Sequence, residues 1–333
     1  MNTWKIYPLD QYDLAGSYDL VELQSPPGLT NMIVPKRTID LLFTALFITG
    51  NNCHLHGSSG SGKTTLVQCL TQVPENIPPL CEAYGIEEFR VQCFSFPITA
   101  VETSAELYRL RSISPERGTY YEDSELWQWL TWVDEQEDGA EVYVAHIREL
   151  FRGQEAVEHA LLDIISDGPL TAPDGRVLRR CGKRIRWVAD SNMGVTSALV
   201  NQADNAILRR FPVQRHIEPT PHAERVILER LLEAEQLHYI PKHLESMLML
   251  GARIREMQQR DGRFLSITPG IPLYLAIMKI AGQQSTMDFP DLLLHTLFGA
   301  SSDEQEHLPA MFEEAFGQRK AKAALLPVGE DLL

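Results

Sequence analysis

The sequence lacks an excess of basic residues and an apolar run long enough to span a bilayer, and its first ten residues do not show the basic-then-apolar pattern expected of a secretion leader. Its 333 residues contain 30 Lys and Arg against 45 Asp and Glu, a formal net charge of −15. Because an acidic surface repels phosphate backbones, nucleic acid is disfavoured as the main ligand. The longest apolar run starts at Ile39, includes Asp40 and is too short to cross a membrane. We therefore predict a cytoplasmic protein without membrane contact.

Cysteine is also scarce. The five cysteines are odd in number and scattered, with no Cys-x-x-Cys pair among Cys53, Cys69, Cys81, Cys93 and Cys181. This pattern excludes a disulfide framework and a zinc site as organising features, and it favours a reducing compartment.

Apolar strands alternate with helical segments over the first two thirds of the chain. This alternation predicts an α/β fold with a largely parallel sheet and helices on both faces. Beyond residue 218, apolar residues recur every three or four positions, which predicts a small helical domain. We expect an irregular arm over 1–30, an α/β domain over 31–218, a helical domain over 219–318 and a mobile tail over 319–333.

The strongest motif is GSSGSGKTT, which follows a short apolar strand and opens a helix. It matches the phosphate-binding loop GxxxxGK[ST], in which small residues let backbone N–H groups surround phosphate oxygens. Lys63 is predicted to reach the β- and γ-phosphates, and the Thr64 hydroxyl to ligate Mg²⁺. The predicted nucleotide-binding residues are Gly57, Ser58, Ser59, Gly60, Ser61, Gly62, Lys63, Thr64 and Thr65.

Two further motifs follow the phosphate loop at a distance. WVADSN ends in Asn192, and ILRRF contains Arg209 and Arg210. With the phosphate loop, they make the segment from Val34 to Gly282 resemble the AAA+ ATPases. Within that class, it is similar to the MoxR-like group with its CbbQ, NorQ and GvpN relatives.

The resemblance implies an AAA+ P-loop core with a helical lid, ATP and Mg²⁺ as ligands, and a ring of six subunits. Asn192 would be the sensor-1 residue, which contacts the γ-phosphate or the attacking water. Arg210, with Arg209 as second choice, would be the arginine finger that reaches a neighbouring subunit's nucleotide. Relatives of this kind act on a client protein, often one with a von Willebrand A domain.

Two elements of the family pattern are missing from this sequence. The pattern has Asp-Glu after four apolar residues, and this pair falls on Ala145 and His146. Alanine cannot bind a metal, and histidine is a poor ligand for Mg²⁺. His146 is either a structural histidine or an unusual base. The family pattern also has an arginine at the start of a lid helix. The corresponding position in this sequence is Gly270, in the segment ITPG.

Two other acidic sites could replace the missing pair. Asp134 and Glu135 follow an apolar stretch, but LWQWLTWVDE also fits a helix. Asp190 lies two residues before Asn192, so both side chains of a strand would share one face. Asp190 is therefore a candidate metal ligand, with a buried hydrogen-bonded aspartate as the alternative.

These observations leave two main functional hypotheses. The first is a subunit that binds ATP, assembles with a partner protein and hydrolyses ATP weakly or not at all. The second is a fully active chaperone-like ATPase that uses a displaced acid. A nucleic-acid-associated AAA+ protein is a third hypothesis, based on the basic run from Arg176 to Arg186.

Overall fold

The computed structural model describes residues 20–58, 60–116, 118–166, 168–192, 205–261, 270–283, 289 and 292–293. Within these ranges the chain forms two compact units. The first extends to Ile217, apart from Ser58–Ser61, which belongs to the second unit together with the residues from Glu218 onward.

The strands of the first unit follow from runs of β-branched and aromatic residues. They are β1 (Leu20–Leu23), β2 (Met32–Pro35), β3 (Cys53–His56), β4 (Arg90–Pro97), β5 (Arg109–Ser114), β6 (Gly118–Asp123), β7 (Glu141–Arg148), β8 (Leu170–Thr171), β9 (Val177–Leu178), β10 (Ile185–Ser191) and β11 (Val213–His216). Strand β1 pairs with β2, so part of the arm expected to be irregular is a strand with a buried apolar face.

The helices of both units carry buried apolar faces. In the first unit they are α1 (Lys36–Phe43), α2 (Lys63–Thr71), α3 (Ile77–Tyr84), α4 (Glu125–Glu135), α5 (Glu155–Ile164), α6 (Cys181–Arg184) and α7 (Asn205–Leu208). In the second unit they are α8 (Pro221–Ala234), α9 (Pro241–Asp261) and α10 (Ile271–Gln283). None of the helices in the described ranges is long and apolar enough to cross a membrane.

A five-stranded parallel sheet in the order β11-β3-β10-β7-β4 forms the centre of the first unit. Side chains alternate between its faces. Leu55, Val144 and Val188 pack with residues of α1, α2 and α3, whereas Ala145 and Trp187 pack with residues of α4 and α5. The predicted α/β fold with helices on both faces is confirmed.

Two hairpins accompany the sheet. The predicted turn near Gly175 lies between β8 and β9, and Gly175 has a φ of 87°. Arg176 of this hairpin donates to both Asp123 carboxylate oxygens at 2.6 and 2.7 Å. Farther along the basic run, Arg180 and Arg184 pair with Asp138. Part of the positive charge of the run is therefore neutralised within the fold.

The second unit has its own apolar core, with members such as Leu228, Leu248 and Ile277. Helix α8 begins where the sequence predicts a helix, because the Thr220 hydroxyl caps the Ala223 N–H at 3.2 Å and Pro221 opens the first turn. Arg255 is buried against Glu224 through two hydrogen bonds of 2.8 and 2.6 Å.

Candidate functional site

The phosphate loop leads directly into α2. Gly62, the residue before the helix, has a φ of 87°, and Gly60 has a φ of 76°. Glycine adopts these left-handed conformations without the strain of a Cβ. Lys63 is only 5% exposed, and its ammonium group donates to the Gly57 carbonyl at 3.1 Å. The loop and the amino end of the helix thus place a lysine and backbone N–H groups where an anion can bind.

Asn192 lies next to this lysine. It directly follows β10, and its Oδ1 accepts a hydrogen bond of 2.9 Å from Lys63 Nζ. The structure therefore brings together two residues that are 129 positions apart in the sequence. A side-chain amide beside the lysine can contact a bound phosphate or a water molecule.

Asp190 contacts the first turn of α2. The Thr64 hydroxyl donates to Asp190 Oδ2 at 2.8 Å, and the Glu149 N–H donates to Oδ1 at 3.0 Å. The aspartate is 2% exposed. A threonine hydroxyl and a carboxylate are the oxygen donors that Mg²⁺ prefers, so this pair fits a magnesium ion bound with phosphates.

His146 lies on the same face of the sheet as Asp190. Its Nε2 is 2.9 Å from Asp190 Oδ2, and its Nδ1 is 3.3 Å from the Ser95 hydroxyl. Since the carboxylate only accepts, His146 donates from Nε2 to Asp190.

The charge of Asp190 depends on these contacts. Burial raises the pKa of its carboxyl, but the hydrogen bonds from His146, Glu149 N–H and Thr64 outweigh burial and hold the pKa below its ordinary value. Asp190 is therefore ionised at neutral pH.

The expected end of the strand before Ala145 and His146 was wrong. Strand β7 does not end at Val144 but continues to Arg148, and Ala145 and His146 are fully buried in its interior. Histidine and alanine fit this buried strand because His146 is hydrogen-bonded and Ala145 packs in the apolar core. The residues at the carboxyl end of β7 are instead Arg148 and Glu149.

Glu149 is the functional candidate that the sequence reasoning missed. It has a φ of 59°, which is unusual for a residue other than glycine, and its carboxylate contacts Arg152 at 3.0 Å. The signal for it was the continued alternation through Ala145, His146, Ile147 and Arg148.

Asp134 and Glu135 do not belong to this site. The helix alternative for LWQWLTWVDE is confirmed by α4, which ends at Glu135. The Asp134 carboxylate accepts hydrogen bonds from the backbone N–H groups of Arg180 and Cys181, at 2.5 and 2.9 Å. Its role is to hold the short helix α6.

Arg209 and Arg210 are exposed and lie just after α7. The fully buried side chain of Phe211 and the hydrogen bond of 3.0 Å from Asn52 to the Arg210 carbonyl fix the backbone there. The structure thus presents both arginines on the surface of the first unit.

The remaining predicted residues have varied surroundings. Thr65 is half-buried in the first turn of α2, and Ser61 is buried. Within the second unit, the Ser58 hydroxyl donates to the Glu218 carboxylate at 3.0 and 3.1 Å. Ser59 and residues 267–269 lie outside the described residues, whereas Gly270 directly precedes α10.

A parallel sheet with a phosphate loop directly after β3 defines a P-loop nucleotide-binding domain. Residues 52–211 match the family model described as the AAA domain of the dynein-related subfamily. This part of the chain has the fold of an AAA+ domain, and the family that it matches uses ATP and, as a rule, Mg²⁺. A search of curated proteins finds no significant match to the chain.

Proposed function

We propose that the protein is an ATP-binding AAA+ subunit that acts, in a ring, as a MoxR-like remodelling or assembly factor on a partner protein. In this proposal it binds Mg²⁺-ATP firmly and hydrolyses it slowly. The contact of 2.8 Å between Thr64 and Asp190, beside the Lys63–Asn192 pair, carries the proposal. In this proposal Asp190 on β10 supplies the metal-side carboxylate that the family pattern places on the strand corresponding to β7.

Slow hydrolysis is proposed because the acids near Lys63 are already engaged. Both oxygens of Asp190 accept hydrogen bonds, from His146 and Thr64 on one side and from Glu149 N–H on the other. The Glu149 carboxylate is paired with Arg152. A carboxylate that orients the attacking water contributes roughly 10²–10⁴ to a rate, so its absence leaves binding intact and turnover low.

An active ATPase is the second candidate function, favoured by the position of Glu149. This residue follows the carboxyl end of β7, and its N–H contacts the same carboxylate that Thr64 contacts. Release of the Arg152 pair, whose side chains are 34% and 38% exposed, would free Glu149 to polarise a water molecule. Exposed ion pairs are weak, so this release costs about 1 kcal/mol or less.

A partner protein and a ring fit the exposed features of the first unit. Ile113 and Tyr121 of the β5–β6 hairpin are 75% and 65% exposed, and both lie on one face of it. Exposed apolar and aromatic side chains of this kind are typical of protein contact surfaces. Arg210, at the surface, is available to act on a neighbouring subunit's nucleotide.

The test follows bound and released nucleotide over time after the protein is mixed with Mg²⁺-ATP. Lys63→Ala serves as the blank because it removes the phosphate-binding ammonium. Lys36→Ala is the matched control, since Lys36 is an exposed lysine of α1 with a surface ion pair to Asp40.

We expect the wild type and Lys36→Ala to retain intact ATP and Lys63→Ala to retain none. If ADP accumulates above the blank and Glu149→Gln stops it, the second candidate is correct. If the wild type binds no ATP, both candidates are wrong.

A further inference from the structure

Arg148 is the last residue of β7. Its neighbour Ile147 packs in the apolar core on one face of the sheet. Because side chains alternate along a strand, Arg148 belongs to the other face, together with His146. That face is the one on which Asp190 meets Thr64.

The Arg148 side chain is half-buried, and its Nε is shielded from solvent without a hydrogen-bond partner among the described residues. Two other shielded arginines of this fold meet carboxylates, since Arg255 contacts Glu224 and Arg184 contacts Asp138. Arg215, whose Nε is shielded in the same way as that of Arg148, donates from its Nη2 to the Thr38 hydroxyl. A buried guanidinium donor that lacks a protein acceptor is costly, so its presence points to an acceptor supplied by a ligand.

The surroundings of Arg148 indicate which ligand this is. The next residue, Glu149, donates its N–H to Asp190 Oδ1 at 3.0 Å, and the other oxygen of Asp190 contacts Thr64 at 2.8 Å. Arg148 is therefore next in sequence to the residue whose N–H binds the carboxylate at the start of α2. The amino end of that helix and Lys63 form the anion-binding part of the domain.

We propose that Arg148 binds the terminal phosphate of the nucleoside triphosphate held by its own subunit. A guanidinium presents planar paired donors that match phosphate oxygens, which a lysine cannot do. This assignment rests on the proposed function. It supplies a positive charge from β7, within the first unit.

An arginine that binds the terminal phosphate and a purely structural arginine lead to different expected results. ATP carries the terminal phosphate and ADP lacks it, so loss of Arg148 must weaken ATP binding selectively. A structural arginine would affect both nucleotides equally, through the fold.

The experiment compares the dissociation constants of ATP and ADP, with Mg²⁺ and with EDTA, for the wild type, Arg148→Gln and Arg148→Lys. Arg90→Gln is the matched control, since Arg90 is an exposed arginine at the amino end of the neighbouring strand β4. Thermal unfolding of each variant shows whether the fold is retained.

We expect Arg148→Gln to weaken ATP binding roughly tenfold to a hundredfold and to change ADP binding less than about twofold. Arg148→Lys is expected to restore part of the loss, and Arg90→Gln to bind both nucleotides as the wild type does.

If Arg148→Gln binds ATP as tightly as the wild type does, and ADP as tightly as the wild type does, the assignment is overturned and the proposed function stands. An equal loss of both nucleotides in Arg148→Gln would also overturn it. Failure of the wild type to bind ATP would overturn both the assignment and the proposed function.

Discussion

Strands β7 and β10 are neighbours in the sheet, yet their carboxyl ends carry opposite chemistry. β7 ends in Arg148, with a histidine two residues earlier, whereas β10 ends in Asp190 and Ser191 and leads to Asn192. The register pairs Val188 with His146, so Asp190 lies beyond His146 on the same face.

This comparison shows that a carboxylate can reach one point of a parallel sheet from either of two adjacent strands. Neighbouring strands are about 4.8 Å apart, a distance that an aspartate and a histidine can bridge together. The hydrogen bond of 2.9 Å between His146 and Asp190 is that bridge. The strand expected to carry the acid instead carries the residue that orients it.

The largest expected effect comes from removing the acid of β10. Asp190→Ala leaves Thr64 without its carboxylate partner. We expect the Mg²⁺-dependent affinity for ATP to fall by roughly a hundredfold or more. This loss is larger than the one typical of a residue that only supports a metal ligand. Titration of ATP against Mg²⁺ and against EDTA measures this difference.

Asp163→Asn is the control for this experiment, because Asp163 is an exposed aspartate of α5. Unchanged Mg²⁺ dependence in Asp190→Ala would show that the metal-side acid lies elsewhere and that the comparison of the two strands is wrong.

Removing the bridge on β7 should have the next largest effect. His146→Leu takes away the hydrogen bond to Asp190, and we expect roughly a tenfold loss of Mg²⁺ affinity with nucleotide binding in EDTA unchanged. His146→Gln retains a side-chain donor and should recover part of the loss. The measurement is the Mg²⁺ concentration that half-saturates ATP binding.

Ser95→Ala tests the far end of the same chain of contacts. Its hydroxyl is 3.3 Å from His146 Nδ1, a longer contact than the one to Asp190. We expect a smaller effect than for His146→Leu. A larger effect would mean that Ser95, rather than the histidine, determines the position of Asp190.

The sequence predicted the sheet and the phosphate loop because both depend on local patterns. Glycine, lysine and threonine at fixed spacing define the loop, and alternating apolar residues define the strands. The position of the acid depends instead on strand register. The alternation of Ala145, His146, Ile147 and Arg148 is the local signal that β7 continues, but Ala145 and His146 also fit the end of a strand.

The same reasoning explains why Asp190 was identified and Glu149 was missed. Asp190 shares a face with its neighbours in a regular strand, so alternation was sufficient to raise it as a candidate. Glu149 follows the strand end in a left-handed conformation, with a φ of 59°. Backbone conformations of this kind are set by tertiary contacts, here the N–H bond to Asp190, and leave little trace in a sequence.

On the opposite face of β10, Ser191 contacts His54 at 2.8 Å, and the effect expected there is on stability rather than on binding. Burial, and secondarily His56, lowers the pKa of His54 to about 4. The folded state therefore holds His54 neutral, while the unfolded chain takes up a proton below about pH 6.5. The contribution of His54 to the free energy of unfolding is fully present above about pH 6.5, and it is lost as the pH decreases toward 4.

Between pH 7 and pH 5, this single group should reduce the free energy of unfolding by about 2 kcal/mol. His54→Gln removes the titrating ring while keeping a polar side chain near Ser191, so its unfolding by urea should depend less on pH by about that amount. His159→Gln changes an exposed histidine of α5 and should retain the slope of the wild type. If His54→Gln retains that slope as well, the proton uptake on unfolding comes from other groups. The Ser191 face of β10 then does not cause the pH dependence of stability.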